Sequence, residues 1–135
     1  MKKRKGFTFI ELLVTTTIIL LLSSIAMVSY QSANKRGRDN KRKADLEKVR
    51  TALEMYRTDN GAYPSTEKWE TMISALKDGN YLNEEPTDPK GYSYYYNGSD
   101  TSYELCAYLE AEGETGSCGT ASCGGVTCNY KLTNP

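Results

Sequence analysis

Glu11 is the one charged side chain in "FTFIELLVTTTIILLLSSIAMVSY", the 24 residues from Phe7 to Tyr30. As a helix this run spans roughly 36 Å, against a hydrocarbon core of about 30 Å. A carboxylate on an inserted helix costs ~2.5–3.5 kcal/mol at mid-depth and less near the helix end, and such residues are usually paired. No Lys, Arg or His follows Glu11 within two helical turns. A partner arises if the chain is cut between Gly6 and Phe7. The new α-amino group at Phe7 is a cation four residues from Glu11, on the same helix face. The carboxylate then neutralises its own amine or that of a neighbouring copy. In the second case two costly charges are relieved only when subunits stack in one register. The pair therefore sets registration more than it adds cohesion.

The other chemistry lies at the far end. Cys106, Cys118, Cys123 and Cys128 all fall in the last thirty residues and point to an oxidising compartment. Zinc would need a C-x-x-C pair or a His, and the chain has neither. Two disulfides are expected instead. Four Cys allow three connectivities, and sequence does not choose among them. The expectation adopted joins Cys106 to Cys128 across two strands and Cys118 to Cys123 within a loop. Without His there is no His-based triad or general base. No nucleophile–base pair, phosphate-cradling Gly loop or EF-hand pattern is found. The chain is expected to be no enzyme, with no catalytic residue, metal or cofactor. Asp59, Glu84, Glu85 and Asp88 read as caps and solvated loop residues.

These groups must be held by a long helix and a small sheet. The 135 residues suffice for one modest domain, or an anchor plus a small one. Beyond Tyr30 no Pro interrupts the pattern, and Leu46, Val49, Leu53 and Tyr56 recur as one amphipathic stripe broadened by Ala52. Continuous helix from Phe7 to Tyr56 is expected, with Gly37 a weak point of roughly 1 kcal/mol. Asn60-Gly61 and Pro64 end it. A short helix over 66–79, capped by Ser65 or Thr66, would bury Met72, Ile73, Leu76 and Trp69. Strands are expected over 92–96, 103–110 and 126–132, with a hairpin at "NGSD". On the second strand Tyr103, Leu105, Ala107 and Leu109 face inward. The fold class is α+β: a long N-terminal helix, half membrane-spanning and half amphipathic, packed on an antiparallel meander.

The basic block Lys2–Lys5, then Gly6, Phe7 and Glu11 in "KGFTFIELL", resembles the class III signal of type IV pilins and pseudopilins. "TALEMYRTDNGAYPS" (51–65), "EPTDPKGYSYYYNG" (85–98) and "YELCAYLE" (103–110) are similar to the major pseudopilin of type II secretion and related Gram-positive-type pilins. The resemblance covers roughly residues 1–110 and implies a pilin-like fold. It implies a leader at 1–6, removed by a prepilin peptidase that methylates Phe7, a transmembrane and assembly helix at 7–30, and an amphipathic helix with globular head at 31–135. It implies a structural subunit held in the inner membrane with its N-terminus cytoplasmic. From there it would pass to an extracytoplasmic or cell-surface filament of a pilus or pseudopilus. The implied partners are identical subunits, other pilins, the peptidase, the assembly machinery and, before assembly, membrane lipid. The calcium-binding, Asp-rich loop of type II major pseudopilins is not matched. The corresponding region has Glu110, Glu112 and Glu114, expected to face solvent, and no Asp follows Asp100.

The run "NKRGRDNKRK" (34–43) holds six basic residues against Asp39 alone. A solvated or lipid-facing collar is the expectation. The alternative is a membrane-tethered binding module that captures nucleic acid, as in competence. Four basic residues before the apolar run and six after it leave the positive-inside rule ambiguous.

Overall fold

The computed structural model describes residues 6–111, 116 and 118–135. Two compact units divide between residues 34 and 35, and the helix α1 (Phe9–Asn60) contributes to both. The expected start at Phe7 moves to Phe9 because Thr8 is the capping residue. The end moves from Tyr56 to Asn60. There Gly61, at φ 80°, donates its N–H to the Arg57 carbonyl, a left-handed cap suited to glycine. Gly37 stays within the helix. From Phe9 to Tyr30 every side chain of α1 is exposed.

In the second unit, Leu46, Val49, Ala52 and Leu53 of α1 enter the core, and Tyr56 packs at its margin. Helix α2 (Trp69–Asp78) adds Met72, Ile73 and Leu76. It starts later than expected. Thr66 does not cap it; its Oγ1 accepts the Lys68 N–H in a turn just ahead of the helix. At the other end Gly79 is the capping residue just past Asp78, but Asn80 takes the left-handed position at φ 58°. Tyr81 N–H to the Leu76 carbonyl and Asn80 N–H to that of Lys77 complete the stop.

Three antiparallel strands, β1 (Tyr95–Gly98), β2 (Tyr103–Ala107) and β3 (Tyr130–Thr133), form a meander in that order. Tyr96 faces Leu105, and Leu105 faces Leu132. The "NGSD" turn is displaced: Asn97 and Gly98 remain in β1, and Ser99 N–H closes the loop on the Ser102 carbonyl. Gly98 has no room for a side chain, since a Cβ would lie 2.7 Å from the Pro64 carbonyl oxygen. β2 ends before residue 110 because its backbone finds other partners. Asn129 brackets Leu109 through its side-chain amide, and the N–H groups of Glu110 and Ala111 point at Asp39.

Tyr103, Leu105, Ala107 and Leu109 are buried as the alternation predicts. The core is rich in tyrosine, and each buried hydroxyl is partnered. Tyr94 donates to Asp45, Tyr96 to the Pro64 carbonyl, and Tyr63 and Tyr103 both to Glu54. Cys106, on the other face of β2, joins a separate cluster with Cys118, Cys123, Cys128, Tyr95 and Val126.

Candidate assembly site

Gly6 and Phe7 precede α1, and Phe7 is 88% exposed. Glu11 sits in the first turn. Its Oε2 accepts the Thr8 N–H at 2.8 Å and the Thr8 hydroxyl at 2.6 Å, while Glu11 N–H donates to Thr8 Oγ1 at 3.3 Å. This is a reciprocal capping box, in which two orphan donors of the helix start are satisfied by Thr8 and Glu11 together. Among the described residues Glu11 therefore holds hydrogen bonds but no cation. The hydroxyls of Thr15, Thr16, Thr17 and Ser24 donate back to carbonyls three or four residues earlier. Those four hydroxyls are thereby satisfied within the helix itself. The apolar start of α1, with none of it buried, is long and apolar enough to cross a membrane. The basic block Lys2–Lys5 lies outside the described residues.

The expected collar is partly an interior network. Arg42 is fully buried. It grips Asp88 with Nε and Nη2, and its Nη1 donates to Asp39 at 2.7 Å and to Glu110 at 2.9 Å. Arg38 forks onto Glu110 with two hydrogen bonds of 2.7 Å, and Lys90 approaches the same carboxylate at 3.0 Å. Asp39 accepts the Glu110 and Ala111 N–H groups, closing the ring. The Tyr92 ring lies 5.3 Å from the Arg42 guanidinium. Hydrogen bonds from Arg38 hold the Glu110 carboxyl well below the usual range against the opposing effect of burial, with Lys90 and Arg42 assisting. Burial pushes Asp88 up, but Arg42 and the Lys90 and Tyr92 N–H groups outweigh it and hold the group low.

Two expectations are corrected here. Asp88 and Glu110 are not solvated; their side chains are 2% and 7% exposed. Glu112 and Glu114 lie outside the described residues. The signal that could have found the network was Asp39 itself. It is the lone acid in a basic run, one turn before Arg42 and adjacent to Arg38.

The disulfide pairing is also corrected: Cys106 joins Cys118, and Cys123 joins Cys128. Cys106 faces Lys131 in the ladder, which leaves Cys128 three residues short of it. Instead Cys128 lies across a small hairpin from Cys123. That hairpin is formed by the Ser122–Thr127 bridge and the Cys123 N–H to Val126 carbonyl bond, with Cα atoms 5.3 Å apart. Among the described residues no group of His, Cys, Asp or Glu is arranged to hold a metal.

A helix with an exposed apolar start and a single early carboxylate, packed further on against a disulfide-bearing meander, defines a pilin-like protein. The family model described as type II secretion system (T2SS), protein G, matches residues 29–123, and the prokaryotic N-terminal methylation motif matches residues 1–27. The chain belongs to this protein G family, among the pseudopilins. It is 30% identical to the type II secretion system core protein G of Pseudomonas aeruginosa, over 85% of this chain and 89% of that one. It is 27% identical to the Vibrio cholerae protein of the same name, over 90% of each. The Klebsiella pneumoniae protein of that name is 30% identical over 70% of this chain and 74% of its own length. No solved structure gives a significant match.

Proposed function

We propose that this chain is the repeating subunit of a type II secretion pseudopilus. It is made as a membrane precursor, cut between Gly6 and Phe7 by a prepilin peptidase, and methylated at Phe7. It is anchored by residues 7–30 with its N-terminus cytoplasmic. The observation that carries this reading is the fully exposed apolar start of α1 bearing Glu11 as its one charge. In a bilayer that surface meets lipid; in a polymer it meets other copies and other pseudopilins. Cutting frees a cation at Phe7. The Glu11 carboxylate then exchanges its Thr8 hydrogen bonds for the amine of a neighbour, which fixes the register between copies. The subunit's work is structural rather than catalytic.

The family of relatives favours a secretion pseudopilus over a type IV pilus. The alternative of nucleic-acid capture loses its main support in the collar. Arg42 is buried, Arg38 is taken by Glu110, and Lys41 donates to the Thr87 carbonyl.

Intact mass measurement of subunits sheared from cells tests the proposal. The expected species lacks Met1–Gly6 and carries one methyl group on Phe7. Polymer built from uncut chain would refute it.

A further inference from the structure

The charge on this chain is strongly polarised. Residues 35–43 carry six basic residues against Asp39, whereas residues 44–135 carry fifteen acidic against seven basic. Asp39 is consumed by Arg42 and two backbone N–H groups. Lys35 and Arg36 are exposed, and among the described residues no side-chain hydrogen bond or ion pair engages either. A cavity of about 300 Å³ is lined by Trp69, Glu70, Glu85, Asp88, Tyr92 and Tyr94, among others. Asp88 is committed to Arg42, but the Glu70 and Glu85 carboxylates are exposed and, among the described residues, likewise unpaired. The Trp69 and Tyr94 rings stand 5.2 Å apart at 43°, an aromatic wall beside two free acids. Such a wall suits a guanidinium or ammonium group, which stacks on the rings and pairs with the carboxylates.

We propose that this cavity receives Lys35 and Arg36 of a second copy of the chain, one step along the polymer. The inference rests on the assembly reading above. A filament needs a heterologous contact, with two complementary surfaces at different places on one chain. The collar and the cavity are such a pair.

The test uses the full chain in cells that assemble it. Reversal of the acids (Glu70→Lys with Glu85→Lys) is expected to lower sheared polymer about tenfold or more through like-charge contact, as is reversal of the bases (Lys35→Glu with Arg36→Glu). Combining all four is expected to restore most of it. All four side chains are exposed, so monomer folding, read by disulfide formation, is expected to be unchanged. Zero-length carbodiimide coupling of wild-type polymer is expected to link Lys35 to Glu70 or Glu85 between copies. Wild-type polymer without that link, or a fourfold variant no better than either pair, would overturn this interface and leave the assembly reading standing. Absence of any wild-type polymer would overturn both.

Discussion

Replacing Arg42 by Ala should be among the most damaging single changes in the residue 35–135 unit. The guanidinium is fully buried between Asp39, Asp88 and Glu110, and none of those carboxylates is more than 7% exposed. Arg38 and Lys90 remain on Glu110 in the variant, but Asp88 and Asp39 lose their only cationic partner among the described residues. Breaking a buried pair from one side costs about 3–5 kcal/mol, mostly from the charge left behind. Domains of this size have roughly 5–15 kcal/mol in total and lose about 4–8 °C of Tm per kcal/mol, so a fall of at least about 12 °C is expected. Arg42→Lys keeps the charge but loses the fork, and should cost less, about 1.5–3 kcal/mol. The assay is denaturant unfolding of the full chain in detergent, followed by Trp69 and tyrosine fluorescence. A pH series adds a second readout. Asp88 and Glu110 titrate below their unfolded values of about 3.9 and 4.3. Their contribution is therefore complete above about pH 5 and is lost as pH falls through the lowered folded values. The deficit of Arg42→Ala should shrink in the same window, because protonated acids no longer need the guanidinium. An Arg42→Ala protein within about 1 kcal/mol of wild type at pH 7, or a deficit unchanged down to pH 3, would refute the reasoning.

Three further outcomes follow from the packing. Opening the Cys106–Cys118 bridge by Cys118→Ser should cost about 3 kcal/mol, and opening Cys123–Cys128 by Cys123→Ser about 2, since the closed loops are 12 and 5 residues. Non-reducing peptide mapping should recover these two pairs and no others. Gly98→Ala would set a Cβ 2.1 Å from the Tyr96 hydroxyl and against the Pro64 carbonyl, so thermal unfolding should show a loss of about 1–3 kcal/mol. Glu54→Leu orphans the buried Tyr103 hydroxyl and should cost about 1–3 kcal/mol, part of it recovered on adding Tyr103→Phe in a double-mutant cycle.

The helices and the inward face of β2 were legible because each rests on periodicity. Leu46, Val49, Leu53 and the Tyr103–Leu109 alternation announce their faces without knowledge of any partner. What failed to show were contacts fixed by distant backbone. Asp88 and Glu110 look like loop acids until the chain returns them to Arg42, 46 and 68 residues away in sequence. Asn80 and Thr66 show the smaller version of the same limit: a left-handed stop and a turn were displaced by a residue or two from the glycine and cap that local chemistry favours. The disulfide pairing depended on the Cys106–Lys131 register, which no composition rule supplies. At the N-terminus, Glu11 stands out in the sequence as the lone charge of an apolar run. Its reciprocal bond with Thr8 was equally readable from the T-x-x-E spacing, yet the eye goes to the charge before the cap.

The proposed registration of copies by Glu11 is tested most directly in polymer assembled from two labelled pools. One pool carries 13C in the glutamate carboxyls, and the other carries 15N in phenylalanine. Magnetisation transfer by solid-state NMR from the Phe7 amine of one pool to a glutamate carboxyl of the other is expected, corresponding to a separation within about 4–6 Å, and its loss in Glu11→Gln assigns the site. Ordered polymer with no transfer between pools would contradict the account.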